Sequence, residues 1–232
     1  MVESGTLYGV GVGPGDPELM TVKAWRLIST ARVIAYLAAN GGESTARDIA
    51  RPFLPEYAQE LIIDMPMQVE REPGERAYDA GADAIASHLR AGRDVVMLCE
   101  GDPFFYGSFI HVFSRLAAEF PVKVVPGVTS IAAAAAVTGR PLASRNDVVK
   151  VVPATLPPPR LRAELEACDS AAVIKVGRHF GKVRQVLDGL GLSSRAIAIV
   201  RATHDDQEIR AIGEIDGDAL PYFTTILVRS GR

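Results

Sequence analysis

Two stretches decide how this chain folds: Gly11-Val-Gly-Pro-Gly-Asp-Pro17 and Glu100-Gly-Asp-Pro-Phe-Phe-Tyr-Gly107. Each follows an apolar run that reads as a buried strand, over 7–12 and 94–99, and each turns through Asp-Pro toward a helix. Asp16 and Asp102 are suited to cap the first N–H groups of those helices, and Asp102 reads as a cap and loop organiser rather than as a base. Pro17 and Pro103 suit the first helical position, where a missing N–H costs nothing. The glycines permit close backbone approach. Both loops therefore leave backbone at the carboxyl ends of strands, where open α/β sheets bind ligands. One such loop is an ordinary connection as readily as a site; two in one chain favour a site.

Working outward, strand and helix patterns alternate through the first half. Strands are expected over 7–12, 32–36, 60–64, 94–99 and 122–125, and helices over 18–30, 44–53, 74–91 and 107–119. In the third helix Ala82, Ile85, Ala86 and Leu89 follow one apolar face, and Gly92 stands where a C-terminal cap belongs. Such alternation predicts a parallel sheet covered on both faces. Pro126-Gly-Val-Thr-Ser130 then opens an alanine-rich run over 131–138, with Thr129 or Ser130 as cap and Gly139 as stop. Beyond it, strands are expected over 148–153, 171–176, 196–201, 208–214 and 223–228, with helices over 161–167 and 181–190. The last two strands have no room for a helix between them, so the second sheet is expected to be mixed. The chain reads as α/β with two domains, 1–126 and 127–232.

Composition narrows the function. The 232 residues carry a net charge of −3, with 48% apolar and 23% charged residues. That is an ordinary globular mix, and it argues against a general nucleic-acid binder, which needs a basic field. Cys99 and Cys168 are the two cysteines and read as small core residues; no disulfide framework or metal site is called for. No apolar run approaches the ~20 residues of a membrane span. The N-terminus has no signal pattern, so a cytoplasmic protein is expected. Three chemistries fail on spacing. From Gly9 or Gly11 the third glycine of a dinucleotide fingerprint falls on Pro14 or Asp16, and neither a phosphate-binding Gly-Lys-Ser/Thr nor a Gly-x-Ser-x-Gly elbow occurs.

The motifs VGVGPGDPELMTVKA (Val10 to Ala24), EGDPFFYGS (Glu100 to Ser108) and VPGVTS (Val125 to Ser130), in that order, resemble the tetrapyrrole methylase family. The likeness spans nearly the whole chain. Further stretches, DMPM (Asp64 to Met67), KVGRHF (Lys175 to Phe180), RATHDDQ (Arg201 to Gln207) and PYFTTILV (Pro221 to Val228), resemble the branch that methylates carbon 20 of precorrin-2 in corrin biosynthesis. Family members acting on uroporphyrinogen carry an acidic residue after the tyrosine of the second strand; here Tyr36 is followed by Leu37 and Ala38.

The resemblance implies two α/β domains with a cleft between them for S-adenosylmethionine (SAM), a tetrapyrrole substrate, a homodimer, and no metal, nucleic-acid or membrane partner. It implies cofactor contacts from Pro14, from the backbone of Glu100, Gly101 and Asp102, from Phe105 or Tyr106, from Thr129 and Ser130, and from the main chain of Val176 and Ala202. Tyr106 is the candidate for orienting substrate or relaying its proton, and a plain pocket wall is an equal reading of it. His179 and His204 are the alternatives. Arg140, Arg145, Lys150, Arg178 and Arg201, with His179, are candidates for the substrate carboxylates. Val200 replaces a glutamate frequent in relatives, which leaves any substrate role there open. Open alternatives are the cobalt-bearing substrate, another corrin ring carbon, a family member acting on ribosomal RNA, and a non-catalytic adenine-nucleotide module.

Overall fold

The computed structural model describes residues 3–39, 42–66 and 71–230, and Met67 of the DMPM stretch lies outside them. Contacts divide the chain into two units, Met1–Thr129 and Ser130–Arg232.

The first unit holds five strands, β1 (Leu7–Gly11), β2 (Val33–Ala39), β3 (Gln59–Met65), β4 (Val95–Cys99) and β5 (Val122–Val125). They pair in the order β3-β2-β4-β1-β5, and every pairing is parallel. Four helices connect them: α1 (Val22–Ser29), α2 (Thr45–Ala50), α3 (Arg71–Arg90) and α4 (Phe109–Leu116). The strand residues alternate between two cores. Val10, Ile34, Tyr36, Val96 and Leu98 pack with Ala24 and Ile28 of α1 and with Ala46 and Ile49 of α2. Leu7, Val33, Ala35, Met97 and Cys99 pack with Ala82, Ile85 and Leu89 of α3 and with Phe109 and Val112 of α4. Gly9 is part of the reason α4 fits: a Cβ there would stand 2.4 Å from the Phe109 ring. Fully burying Phe109 contributes about 2–3 kcal/mol.

This arrangement fixes a switch point. The chain leaves β1 toward β2 over one face and leaves β4 toward β5 over the other. β1 and β4 are neighbours, so a crevice opens where their carboxyl ends diverge. Both Asp-Pro loops sit there.

The expected parallel sheet and helix order are present, with two local differences. The expected helix over 18–30 is split into a 3-10 turn (Pro17–Leu19) capped by Asp16 and then α1, which Thr21 caps by accepting from Ala24 N–H. Met20 is extended between the two caps, which breaks the run. Asp102 does not cap a helix. Tyr106 takes φ 59° and Gly107 is wedged against the carbonyls of Asp102 and Pro103, so α4 starts only at Phe109. At the far end of α3, Gly92 has φ 72° and donates its N–H to Leu89 O, as its capping position requires.

The second unit is a mixed sheet of β6 (Val149–Pro153), β7 (Ser170–Ile174), β8 (Ala196–Val200), β9 (Glu208–Ala211) and β10 (Thr224–Arg229) in the order β6-β7-β10-β8-β9. Only β6 and β7 pair in parallel; the other three pairings are antiparallel. The helices α6 (Pro158–Glu166) and α7 (Phe180–Gly189) bury Leu161, Leu165, Phe180, Val183 and Leu187 against one face. The alanine-rich α5 (Ser130–Thr138) covers the other through Ile131, Ala133 and Ala134, packed on Ala172, Ile199 and Leu227. Gly139, at φ 60°, ends it. Among the described residues no helix is long and apolar enough to cross a membrane.

Candidate functional site

In the first unit, backbone bonds stitch the exits of β1 and β4 together. Gly101 N–H donates to Gly13 O at 2.8 Å, Gly13 N–H donates to Gly101 O at 3.4 Å, and Val12 N–H donates to Cys99 O at 2.9 Å. The loop after β5 joins them through Asp102. Its Oδ1 accepts from Phe104 N–H at 2.9 Å and its Oδ2 accepts from Gly127 N–H at 3.0 Å. Of the two roles expected of Asp102, it serves as the loop organiser and not the helix cap, tying the exit of β4 to that of β5. Gly11, Gly101 and Gly127 meet at the centre: a Cβ on Gly127 would stand 2.0 Å from Gly101 O, and one on Gly11 would stand 2.5 Å from the same oxygen.

Pro14, Glu100, Gly101, Asp102, Phe105, Tyr106 and Thr129 all follow β1, β4 or β5, so the parallel register brings their chain positions to one end of one sheet. Phe105 and Tyr106 are exposed and meet edge to face, 5.4 Å between ring centroids, while Phe104 packs back onto Phe109 and Phe113. Burial pushes the Glu100 carboxyl above the usual carboxylate range, partly offset by the N–H groups of Glu100 itself and Ala46. A carboxyl so placed favours a cationic neighbour, which would relieve its desolvation.

In the second unit, β10 pairs antiparallel with β7 on one side and β8 on the other, so Ile174, Val200 and Thr224 mark one edge of the sheet. Val176, Arg178 and His179 follow β7 at that edge, and Arg201 and Ala202 follow β8 there. Val176 and Ala202 are buried, and Val176 O accepts from His179 N–H at 2.7 Å. Arg201 N–H donates to Phe223 O at 2.8 Å, and its guanidinium Nε lies 2.9 Å from Asp206 Oδ1, an ion pair off the N–H direction. His179 is held below the ordinary histidine range by burial and by Lys182 and Arg178, so at neutral pH it offers a neutral imidazole. His204 sits in the turn after β8, donating its N–H to Arg201 O.

Three of the proposed cations lie elsewhere. Arg140 follows α5 and lines a shallow hollow with Ser170, Arg195 and Arg229 at the opposite edge of the second sheet. That is roughly 15 Å from the Val176 edge along a five-residue strand. Arg145 stands in the loop before β6, and Lys150, near the start of β6, is paired with Glu164 at 2.7 Å. Ser130 opens α5 and is exposed.

Backbone strain marks the same exits. Five non-glycine residues among those described have positive φ. Four of them, Tyr106 (59°), Lys175 (58°), Arg201 (49°) and Thr203 (70°), lie in the segments that follow β4, β7 and β8, and the fifth, Arg145 (50°), is in the loop before β6. Such conformations cost about 1–3 kcal/mol each and persist where the surroundings impose them. For β-branched Thr203 the conformation is a true outlier. Composition and periodicity do not signal these positions. The role of Gly127 was missed too, although a glycine at or within two residues of each strand's end, at 11, 101 and 127, is a repeated mark of the sequence.

The family model for Tetrapyrrole (Corrin/Porphyrin) Methylases matches residues 6–216. The chain is 41% identical to the cobalamin biosynthesis protein CobIJ of Mycobacterium tuberculosis, and it spans about half (47%) of that relative's length. It is 39% identical to a precorrin-2 C(20)-methyltransferase of a Sinorhizobium species, covering 97% of this chain and 95% of that one. It is 32% identical to the cobalt-precorrin-2 C(20)-methyltransferase of Salmonella typhimurium, covering 97% and 96%. Among solved structures, a cobalt precorrin-4 methyltransferase superposes with a TM-score of 0.75 at 26% identity, over 97% of this chain and 95% of that one. The Thermus thermophilus uroporphyrin-III C-methyl transferase, complexed with S-adenyl homocysteine, superposes at 0.71 and 26%, over 96% and 97%. With three strand-exit motifs in order, a parallel first sheet and a mixed second one, the chain belongs to the tetrapyrrole methylase family.

Proposed function

We propose that this protein transfers the sulfonium methyl of SAM to carbon 20 of precorrin-2, metal-free or cobalt-bearing, in cobalamin biosynthesis. The observation that carries this reading is the near full-length likeness to two relatives named for that same carbon, one for each form of the substrate.

The first unit's residues fit such a cofactor. Main chain at Gly101 and Asp102 is held by the cross-loop bonds, the Glu100 carboxyl is buried where a cation would relieve it, and two exposed aromatic rings stand beside them. When bound, SAM supplies an electrophilic methyl on a positive sulfur. The pinned loops fix its place, and positioning of this kind supplies about 7–11 kcal/mol of a barrier. Pro14, Thr129 and Ser130 complete the set of cofactor contacts, with Val176 and Ala202 offering main chain to the adenine. Phe105 and Tyr106 exclude water from the reacting atoms. On accepting that methyl, the substrate carbon would have a proton to lose. The Tyr106 hydroxyl orients the substrate or relays that proton, passing its own phenolic proton to solvent as it accepts the one from carbon. The neutral His179 imidazole hydrogen-bonds substrate, while Arg178 and Arg201 meet its carboxylates. Arg140, at the far edge of the second sheet, is left out of that set. The protein is read as a cytoplasmic homodimer without metal, nucleic-acid or membrane partner.

Incubation with SAM and enzymatically made precorrin-2, metal-free and cobalt-loaded in parallel, tests the assignment. Mass and NMR analysis should place one new methyl on carbon 20; no methylated product from either substrate overturns it.

A further inference from the structure

Pro221, Tyr222 and Phe223 lead into β10 at the edge of the second sheet that also carries Val176 and Ala202. The backbone of this segment is pinned. Arg201 N–H donates to Phe223 O (2.8 Å), Leu220 N–H donates to Gly177 O (3.1 Å), Thr224 N–H donates to Tyr222 O (2.9 Å), and the Thr224 hydroxyl donates to Pro221 O (2.7 Å). The rings nevertheless face outward, 64% exposed for Tyr222 and 42% for Phe223, and meet edge to face with centroids 5.1 Å apart. Arg201 is bonded to Phe223 directly, and Lys175 and Arg178, both exposed, lie two positions and one position from Gly177, which bonds Leu220 and whose added Cβ would stand 3.8 Å from Tyr222 Cα.

Rings that pack no core, yet stand on backbone this fixed, make a preorganised contact surface. Its chemistry is mixed: two aromatic faces with cations at the rim. A neutral purine held through main chain needs no such cations. A conjugated ring system bearing carboxylates needs both. Resting on the methylase reading above, we infer that Tyr222 and Phe223 form the platform on which the tetrapyrrole lies, and that they hold the substrate rather than the cofactor.

The test uses the full chain with Tyr222→Ala/Phe223→Ala and, as bulk-preserving companions, Tyr222→Leu/Phe223→Leu and Tyr222→Phe. Circular dichroism identifies folded variants. Fluorescence titration with uroporphyrin III, a stable octacarboxylate, reads macrocycle binding without catalysis, and calorimetry with S-adenosylhomocysteine reads the cofactor site. The double alanine variant should weaken the porphyrin Kd and raise the precorrin-2 KM by about tenfold or more, with S-adenosylhomocysteine affinity within twofold of wild type. The leucine pair should show the same loss, and Tyr222→Phe should show none. Unchanged macrocycle binding in the alanine and leucine variants, or a parallel loss of S-adenosylhomocysteine affinity, overturns the inference. Wild type that binds the porphyrin without methylating precorrin-2 sinks the proposed reaction alone; wild type that binds no tetrapyrrole sinks both.

Discussion

Gly127→Ala is the sharpest probe of the stitched strand exits. The added Cβ would stand 2.0 Å from Gly101 O, 2.9 Å from Gly11 Cα and 3.0 Å from Gly11 C, against an ordinary contact of 3.4 Å or more. All three neighbours are backbone, so no side chain can swing away. Gly101 O is the nearest, and moving it back by roughly an ångström strains its bond from Gly13 N–H. Overpacking of about 1–3 kcal/mol with one weakened hydrogen bond of about 1 kcal/mol sums to roughly 2–4 kcal/mol. Trp25, the single tryptophan, lies in α1, so its fluorescence follows unfolding of the first unit. The expected fall in Tm is about 5–10 °C. If the displaced loop loses one or two hydrogen bonds to the cofactor, S-adenosylhomocysteine affinity measured by calorimetry falls about 10- to 100-fold. Gly213→Ala is the control: its Cβ would meet nothing within 4 Å, and both readings should stay at wild type. A Gly127→Ala protein with wild-type Tm and affinity would refute the idea that the glycine meeting point sets the site.

Thr203→Gly should relieve the left-handed strain after β8 and raise stability by about 1 kcal/mol, read as a Tm increase of about 2–4 °C; a fall in Tm would show the turn to be held by its threonine side chain instead. Arg178→Met should raise the precorrin-2 KM about tenfold with S-adenosylhomocysteine affinity intact; equal loss of both would remove Arg178 from the substrate set. The Tyr36–Glu60–Arg47 cluster predicts a pH signature. The Arg47 hydrogen bonds hold the Glu60 carboxyl below its usual range, so its stabilisation is present above the unfolded value near ~4.3 and is lost as pH falls through the lower folded value. Burial, with the hydrogen bond to Glu60, raises the Tyr36 phenol, so its contribution is present below ~10 and is lost as pH rises through the higher folded value. Because Arg47 and Glu60 are about a third exposed, each limb is worth about 1 kcal/mol or less. Glu60→Gln should flatten the acid limb in urea titrations across pH, and an unaltered profile would count against the pairing.

Much of the molecule was legible in local sequence. The apolar runs ending in Gly-x-Gly-Pro and Glu-Gly-Asp-Pro named the two strands of the switch point, because burial on both faces of a parallel sheet demands unbroken apolar residues. The face of α3 through Ala82, Ile85, Ala86 and Leu89 followed from helical period alone. The distant partner of Asp102 could not be read that way. Next to Pro103, Asp102 has the pattern of a helix cap, yet its carboxylate is used across 25 residues to hold Gly127.

The cations show the same limit. Arg140, Arg145 and Lys150 share a sequence neighbourhood with the second sheet's loops. Whether a loop serves one edge of a sheet or the other depends on strand direction, which pairing decides. The antiparallel insertion of β10 between β7 and β8 is what puts Tyr222 and Phe223 beside Lys175, Arg178 and Arg201. The strands, the helices and the loops with exposed backbone follow from residues a few positions apart and so were legible locally. Which loops meet follows from register and hydrogen bonding between distant strands, and that is a property of the folded chain.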